Sequence, residues 1–539
     1  MGPSKPSILS AALLSRATIV VFTVCFHSFA DNYDTSSELD ADCLHTHSNL
    51  RQKLWLKSGT SPVTGPLDRY ITWDAVHFVR IAKCGYEFEQ SFAFFPALPL
   101  VMRTLSTTFL WPLSGLLGER GTLWLSGLLL SNCAFVASAV FLHRLGLATL
   151  RDEELAYRAA LLYCWNPASI FYSSVYTESL FALASFAGML YLVQRRRALS
   201  LLLLAASTSV RSNGILHAYF FVFEAAATAS EHWKEALEAL SRKKEPEAPA
   251  YTRTSSALVY ALFAVLRGVV WSALVCTPFA LFQAYGYQQV CVKGDQRQPW
   301  CSNTIPYIYG YVQDRYWNVG FLRYFRLQQL PNFLLASPMI ALSVAAVVSY
   351  ALHDPARFFL LHLWPTYTRE PPGKAIASSE DKAGAPGDPG TKRDRSTSKM
   401  SGSQLLTKRN GGGVESSQPF AEALSALGDW QRPVGPEAGF FSPDVLCFTH
   451  QLAIMVCVAT LIMHVQVATR FLSASPVVYW YAAGLCRDRK QARNHSKEIS
   501  RGRKGLPKEF GSIYRWIWGT FIGYSVIGTL LFTNFYPFT

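Results

Sequence analysis

Long apolar runs separated by short polar stretches dominate this chain. A helix needs about 20 apolar residues to cross a hydrocarbon core of about 30 Å. Runs that approach this length lie at 8–30, 93–117, 122–146, 158–175, 178–194, 198–224, 257–285, 334–352, 444–466, 471–486 and 511–535. The pattern predicts an all-α polytopic membrane protein with about ten or eleven transmembrane segments.

Two long polar segments interrupt this pattern. Residues 31–91 form a first loop, and residues 366–445 are rich in Gly, Pro, Ser and mixed charge. Such a composition cannot bury a core and predicts a disordered insert. The chain is thereby divided into an N-terminal transmembrane module, residues 1–365, the insert, and C-terminal transmembrane segments, residues 446–539.

Composition agrees with a membrane location. Charged residues make up 16% of the 539 residues and hydrophobic residues 50%, whereas about a quarter of a soluble protein is charged. The net charge of +14 is typical of nucleic-acid-binding proteins too, but the basic residues lie in short clusters between apolar runs. That arrangement sets membrane orientation, and we expect no nucleic-acid partner.

The basic clusters predict which loops face the cytosol. Residues 487–508 and the cluster 242–244 are strongly basic and should be cytosolic by the positive-inside rule. Counting back along the spans places the insert in the cytosol, and the segment 464–471 and the loop 286–333 in the lumen. The first apolar run is interpreted as a retained transmembrane helix with a cytosolic N-terminus, which places the first loop, 31–91, in the lumen as well. In an oxidising lumen Cys291 and Cys301 could be bridged.

One apolar stretch, 198–224, cannot be a simple span. Arg211, Ser212, Asn213 and Gly214 split it into two short halves, as in a re-entrant or broken helix. Such backbone is tolerated at membrane depth where it lines a cavity. The number of crossings between residues 93 and 224 stays open.

Acidic and basic residues near these spans are the candidate functional groups, because charge in an apolar segment is costly and by default faces a cavity or a partner. Asp74, in the first loop, offers a carboxylate base or an N-cap for a helix beginning at Ala75. Glu178 opens a predicted helix and is either functional or a cap. Arg211 is a phosphate ligand or a structural partner of a carbonyl or carboxylate.

His464 and Arg470 lie six positions apart at a predicted helix end, so both can face the luminal boundary. A guanidinium binds phosphate through two parallel hydrogen bonds, which predicts a phosphate site here. Tyr479 and Trp480 are interpreted as interfacial belt residues. The chain has no glycine-rich phosphate loop, and the acidic pair Asp40 and Asp42 lacks the preceding apolar strand of a nucleotide-sugar site. A soluble nucleotide-sugar transferase is therefore not expected. We expect no obligatory metal, because cationic side chains would take its place at a phosphate, and no cofactor.

Several blocks of the sequence resemble one known family. WDAVHF at 73–78, FAFFP at 92–96, NPASIFYSSVYTESLF at 166–181, RSNG at 211–214 and HVQVATRFLSASPVVYW at 464–480 are similar to the PIG-V type mannosyltransferases, which add the second mannose in glycosylphosphatidylinositol (GPI) anchor synthesis. The resemblance implies a GT-C type fold with a long first luminal loop, in a multi-pass protein of the endoplasmic reticulum membrane.

The resemblance also implies the reaction. Mannose would pass from dolichyl phosphate mannose, a substrate rather than a cofactor, to the first mannose of a glucosaminyl acylphosphatidylinositol intermediate, forming an α-1,6 bond with inversion. Asp74 would be the base, with Trp73 and His77 beside it at the substrate. Arg470, His464, Arg211 and Glu178 would complete the donor-phosphate and substrate site.

Other functions remain open at this stage. Another lipid-donor glycosyltransferase would fit the same residues. A transporter or flippase would also have a broken helix and intramembrane charge, although no internal repeat pairs the RSNG interruption with a counterpart. A noncatalytic membrane subunit is a further alternative. If the chain is the enzyme, an accessory membrane subunit could be its partner.

Overall fold

The computed structural model describes residues 6–27, 43, 71–241, 250–294, 298–360, 438–486, 510–536 and 538. Within these residues the secondary structure is helical and no strand is present. The α-helices are α1 (Ile8–His27), α2 (Asp74–Cys84), α3 (Ala97–Thr107), α4 (Ser114–Leu150), α5 (Glu153–Cys164), α6 (Glu178–Val193), α7 (Arg197–Val210), α8 (Ala218–Ser241), α9 (Ala250–Tyr287), α10 (Ile308–Trp317), α11 (Leu330–His353), α12 (Pro355–Leu360), α13 (Leu446–Leu461), α14 (Ala468–Leu472), α15 (Pro476–Leu485) and α16 (Phe510–Thr533).

Six helical segments among the described residues are long and apolar enough to cross a membrane. They are Ile8–Phe26, Trp111–Leu150, Ser255–Val292, Leu327–His353, Pro443–Leu461 and Ile513–Thr533. Helices α6 and α7 are apolar but shorter. The protein is therefore a multi-pass helical membrane protein, as the hydrophobic pattern predicted.

The other predicted spans form shorter elements. The stretch 93–117 contains only the 11-residue helix α3 before α4 begins, and the stretch 471–486 contains the 10-residue helix α15. The stretch 158–175 is helical only to Cys164, because Asn166 and Pro167 follow and a residue before proline is forced out of the helical conformation. At these places the apolar composition reflects burial inside the protein and not a continuous membrane-spanning helix.

The core surrounds helices α4 to α7. Helix α6 packs against α4 and α7, and α5 packs against α4 and α15. Helix α1 lies against α16, α4 and α5, so the two ends of the described chain are neighbours. These contacts enclose the segment between α5 and α6.

Residues 166–177, which we name the buried connector, are fully buried although they are not an α-helix. Irregular backbone can lie in a membrane protein only when other groups of the protein satisfy its polar atoms. Arg16 of α1 does this directly: its guanidinium donates to the carbonyl oxygens of Ser169 at 2.9 Å and Cys164 at 3.2 Å, and to the Ser173 hydroxyl at 2.8 Å. The Asn132 amide donates to the Ser173 carbonyl at 3.0 Å.

The RSNG interruption breaks the helix, as predicted. Helix α7 ends at Val210, Arg211 is extended, and residues Ser212–His217 form a 3-10 turn that leads into α8. Gly214 is required because a Cβ there would lie 2.5 Å from the Thr208 backbone. This close approach turns the chain back on α7 directly after Arg211.

Two disulfides tie down the loops. Cys291 and Cys301 are bridged, and Cys43 of the first loop is bonded to Cys84 at the end of α2. The loops also meet through Glu89, which accepts hydrogen bonds from the Trp300 indole at 2.7 Å and the Tyr316 hydroxyl at 3.0 Å. Residues 71–91 at the end of the first loop therefore pack against the segment 298–316.

The interpretation of Tyr479 and Trp480 as belt residues is wrong. Both side chains are fully buried, because α15 is covered by α5, α11 and α13. The Tyr479 hydroxyl donates to the Ser473 carbonyl at 2.8 Å, and the Trp480 ring packs edge-on against Phe448. The presence of a Tyr–Trp pair near the start of an apolar helix therefore did not indicate the membrane–water interface.

Part of the predicted insert is packed. In residues 438–445, Phe440 and Val445 are buried, and the Tyr350 hydroxyl donates to the Ser442 carbonyl at 2.9 Å. The rest of the insert lies outside the described residues. The basic loop 487–508 and the cluster 242–244 also lie outside them, so their predicted cytosolic location stays a prediction.

Candidate active site

Asp74 is the first residue of α2 and does not cap it. The capping position belongs to Trp73, and no side chain caps the helix. Trp73 has a φ of 54°, a conformation that is rare for a bulky residue and is found at functional sites where neighbours enforce it. Tyr176 of the buried connector is that neighbour: its hydroxyl accepts from the Asp74 backbone N–H at 3.0 Å and donates to the Thr72 carbonyl at 3.4 Å.

Glu178 is the first residue of α6, at the end of the buried connector. Its side chain is only 1% exposed, and its Oε1 is paired with Arg211 at 2.5 Å and with Arg470 Nε at 2.8 Å. A buried carboxylate requires such partners. Glu178 therefore joins two arginines from distant parts of the chain at one point.

Arg470, in the short helix α14, links Glu178 to Asp74. Its two terminal nitrogens each lie 3.3 Å from Asp74 Oδ2. The guanidinium also lies over the Phe171 ring at 4.5 Å and the Tyr176 ring at 5.0 Å, a cation–π geometry. Burial alone would lower the pKa of Arg470, but the carboxylates of Glu178 and Asp74 raise it above the ordinary value, so the group stays charged.

This ion-pair network borders a cavity of about 870 Å³. Asp74, Arg211 and Arg470 lie in its wall, and the rest of the lining is mostly aromatic and apolar with a few amides. Among the lining residues are Trp73, Phe94, Phe95, Phe171, Tyr176, Asn213, Tyr307, Tyr309, Gln313, Trp317, Asn332, His464, Gln466 and Phe538. A cavity of this size and lining suits a ligand with both apolar and polar parts.

One known protein family matches almost the whole sequence. A model of the family described as Mannosyltransferase (PIG-V) matches residues 5–539, which is nearly the whole chain. The chain belongs to the PIG-V mannosyltransferase family. The resemblance that the sequence blocks predicted is thereby confirmed.

Individual members of the PIG-V family are similar over most of their length. GPI alpha-1,6-mannosyltransferase 2 of Homo sapiens is 31% identical to this chain, and the match covers 88% of this chain and 89% of the human protein. The protein of the same name from Mus musculus is 32% identical over 100% of this chain and 99% of its own length. GPI mannosyltransferase 2 of Drosophila melanogaster is 27% identical over 87% and 86%. No solved structure matches this chain.

The structure of this PIG-V family member brings four of the predicted site residues into one ion-pair network: Asp74, Glu178, Arg211 and Arg470. The cap interpretation does not describe Glu178, because its side chain caps nothing and binds two arginines instead. For Arg211, the structural alternative of a carboxylate partner is the contact observed. Asp74 pairs with an arginine and faces the cavity.

The other three predicted residues are not part of this network, and His77 is not among the residues that line the cavity. Trp73 lines the cavity beside Asp74. His464 lines it too, with its ring stacked on Tyr324 at 4.6 Å, and burial lowers its pKa despite a hydrogen bond with the Trp317 backbone. His77 stacks on Phe94 at 4.7 Å, and burial lowers its pKa as well. Both imidazoles are neutral near pH 7, so the arginines carry the positive charge of the site.

Three residues of the site were missed in the sequence. Tyr176 and Phe171 lie within the NPASIFYSSVYTESLF block, where they read as ordinary apolar residues, yet they hold the Asp74 turn and the Arg470 guanidinium. Arg16 supports the connector that carries both of them. Its position inside the first apolar run was the signal, because an arginine there needs partners.

Proposed function

We propose that this protein transfers mannose from dolichyl phosphate mannose to the first mannose of the glucosaminyl acylphosphatidylinositol intermediate, forming the α-1,6 linkage of the second GPI mannose. The observation that carries the proposal is the pairing of Asp74 with Arg470 in the wall of the cavity. A base for a hydroxyl and a cation for a phosphate thereby stand side by side, as a lipid-phosphate sugar donor requires.

The reaction is a single displacement. The acceptor's 6-hydroxyl oxygen attacks C1 of the donor mannose, a new C1–O bond forms, and the β bond from C1 to the phosphate oxygen breaks. The hydroxyl proton passes to the Asp74 carboxylate, whose side chain is 40% exposed and therefore open to the cavity. The bonding electrons leave with dolichyl phosphate. The α product from a β donor makes the transfer inverting.

Positive charge supports the leaving group. As the glycosidic bond breaks, the phosphate gains negative charge, and preorganised cations beside it are the largest source of rate enhancement in such sites. Arg470 and Arg211 are held by Glu178 in fixed positions on the cavity wall. Because these guanidiniums supply the charge, we expect no metal requirement. Neutral His464 is better suited to a hydroxyl than to the phosphate.

The endoplasmic reticulum lumen is the proposed location of the cavity. Disulfides persist in oxidising compartments, and each bridge has a cysteine shortly before a lining residue: Cys84 precedes Phe94, and Cys301 precedes Tyr307. We propose a GT-C type architecture in which the short apolar helices α6 and α7 complete further membrane segments, toward the ten or eleven expected. Membrane lipids surround the spans, and an accessory subunit is a proposal without a contact to support it.

Transfer of radiolabelled mannose tests this function. Cells that lack the endogenous enzyme express either the wild-type chain or Asp74→Asn. Membranes from these cells are assayed for transfer of radiolabelled mannose into glycolipid. The amide keeps the shape of Asp74 but cannot accept the proton, so we expect a loss of about 100-fold or more. Asp444→Asn is the control, because Asp444 also pairs with an arginine, Arg151, and is similarly exposed. Full transfer by Asp74→Asn, or none by the wild type, would refute the proposal.

A further inference from the structure

The two carboxylate partners of Arg470 are not equivalent. Glu178 accepts from Arg470 Nε at 2.8 Å, the length of a strong charge-assisted hydrogen bond, and it is 1% exposed. Asp74 lies 3.3 Å from both terminal nitrogens of Arg470, beyond the usual range for such bonds, and it is 40% exposed. One contact is fixed in the protein interior, and the other faces the cavity.

The terminal nitrogens of Arg470 are the part of the guanidinium that a phosphate would bind. Two oxygens of a phosphate match the paired N–H groups of an arginine, and Asp74 Oδ2 occupies that edge here. Glu178 holds the opposite side through Nε. A phosphate can therefore reach Arg470 without disturbing Glu178, but it must displace Asp74.

Charge also favours this exchange. Two arginines and two carboxylates balance within the network. When Asp74 turns away, Arg470, Arg211 and Glu178 leave one positive charge, which matches the single negative charge of a phosphodiester. The displaced Asp74 keeps its own charge, and its exposure to the cavity limits the cost of losing the arginine.

We propose that the donor's phosphate and Asp74 compete for Arg470, so that phosphate binding releases the carboxylate to act as the base. This inference rests on the proposed function for the identity of the donor. It makes Glu178 a positioning residue, since Glu178 keeps Arg470 in place while the partner at its other edge changes. After transfer, protonated Asp74 is neutral and cannot compete until it loses its proton.

Competition has a consequence that a simple catalytic role does not share. Removing the charge of Asp74 should lower transfer by about 100-fold or more but strengthen phosphate binding, because the competitor is gone. The purified full-length chain in detergent is titrated with citronellyl phosphate, a short isoprenoid phosphate, as wild type and as Asp74→Asn. We expect the dissociation constant of Asp74→Asn to be about three- to fivefold lower, in keeping with a partly exposed ion pair.

Matched variants separate competition from a general change in charge. Asp444→Asn removes the same charge from an exposed aspartate–arginine pair that does not line the cavity, and we expect unchanged affinity. In an Arg470→Gln background, where the cation that both anions would bind is absent, the gain from Asp74→Asn should disappear. Asp74→Ser repeats the test with a shorter neutral side chain if the amide variant unfolds early in a thermal melt.

A parallel titration with inorganic phosphate distinguishes a lipid phosphate from a free one. An affinity for inorganic phosphate at least about tenfold lower than the affinity for citronellyl phosphate supports the lipid donor. The competition is overturned if Asp74→Asn binds citronellyl phosphate no more tightly than the wild type does. It is also overturned if Asp444→Asn shows the same gain in affinity. The transfer assay is independent of this result. Mannose transfer by the wild type, with no affinity gain in Asp74→Asn, refutes only the competition. An affinity gain in Asp74→Asn, with no transfer by the wild type, refutes only the proposed function.

Discussion

The guanidinium of Arg470 binds two carboxylates through different edges, and a lysine ammonium cannot reproduce that geometry. Arg470→Lys keeps the charge, so phosphate attraction persists while alignment is lost. We expect mannose transfer to fall by about tenfold or more. This loss should be smaller than the loss of about 10²–10³-fold that follows when a preorganised hydrogen-bond donor is removed entirely. Initial rates with wild type and variant at equal expression measure this effect.

Arg151→Lys serves as the control for that substitution. Arg151 pairs with Asp444 at 2.6 Å on an exposed surface, so the change from guanidinium to ammonium should leave transfer unaffected. A wild-type rate in Arg470→Lys would show that the paired N–H groups are not needed at the phosphate.

Residue chemistry could be predicted from the sequence, but residue pairing could not. Asp74, Glu178, Arg211 and Arg470 stood out because each is a charge at or within an apolar segment. Asp74 and Arg470 are 396 positions apart, and Glu178 and Arg470 are 292 apart. Their contacts depend on how α2, α6 and α14 pack together, which local periodicity does not encode.

At the scale of elements, the buried connector depends on one arginine of another helix. Arg16 is nearly fully buried and donates to two carbonyls and two hydroxyls of residues 164–173. Arg16→Met keeps the apolar stem but leaves those acceptors unsatisfied. At about 1 kcal/mol for each hydrogen bond in a membrane protein, we expect a loss of about 2–4 kcal/mol in the free energy of unfolding, seen as a lower melting temperature in detergent.

Arg267→Met provides the comparison for Arg16. Arg267 also lies within an apolar helix, α9, but it is exposed and its guanidinium lies 6.0 Å from the Trp271 ring centre. We expect only a small change in melting temperature there. Equal melting temperatures for Arg16→Met and the wild type would mean that the connector does not rely on Arg16.

Element boundaries show what the hydrophobic pattern measures. The long helices α1, α11, α13 and α16 lie where the apolar runs predicted them, because a span of about 20 residues is needed and was present. The run at 158–175 also looked long enough to be a span, but its second half, residues 166–175, belongs to the buried connector. Burial inside the protein and exposure to lipid select the same side chains, so composition could not separate the two.

At the scale of the whole molecule, the insert divides into a part that should be dispensable and a part that is packed. Residues 438–445 contact the core through Phe440, Val445 and Ser442. We expect a deletion of 366–437, closed by a flexible Gly/Ser linker of about 12 residues, to keep wild-type transfer. Extending the deletion to 445 should lower stability and transfer. Loss of transfer in the shorter deletion, with normal folding and membrane insertion, would give the insert a functional role.

Membrane orientation decides whether the whole mechanism can operate, because the cavity and the basic loop 487–508 must lie on opposite faces. The chain's single N-x-S/T sequon, Asn494-His495-Ser496, lies in that basic loop, so a cytosolic loop predicts a native protein without an N-glycan. A sequon engineered at Asn49, in the first loop, should be glycosylated if that loop is luminal. Endoglycosidase treatment followed by gel mobility measures both sites. A glycan on Asn494, together with none at position 49, would place Asp74 and the disulfide-bonded loops in the cytosol, where neither a luminal acceptor nor stable disulfides are available.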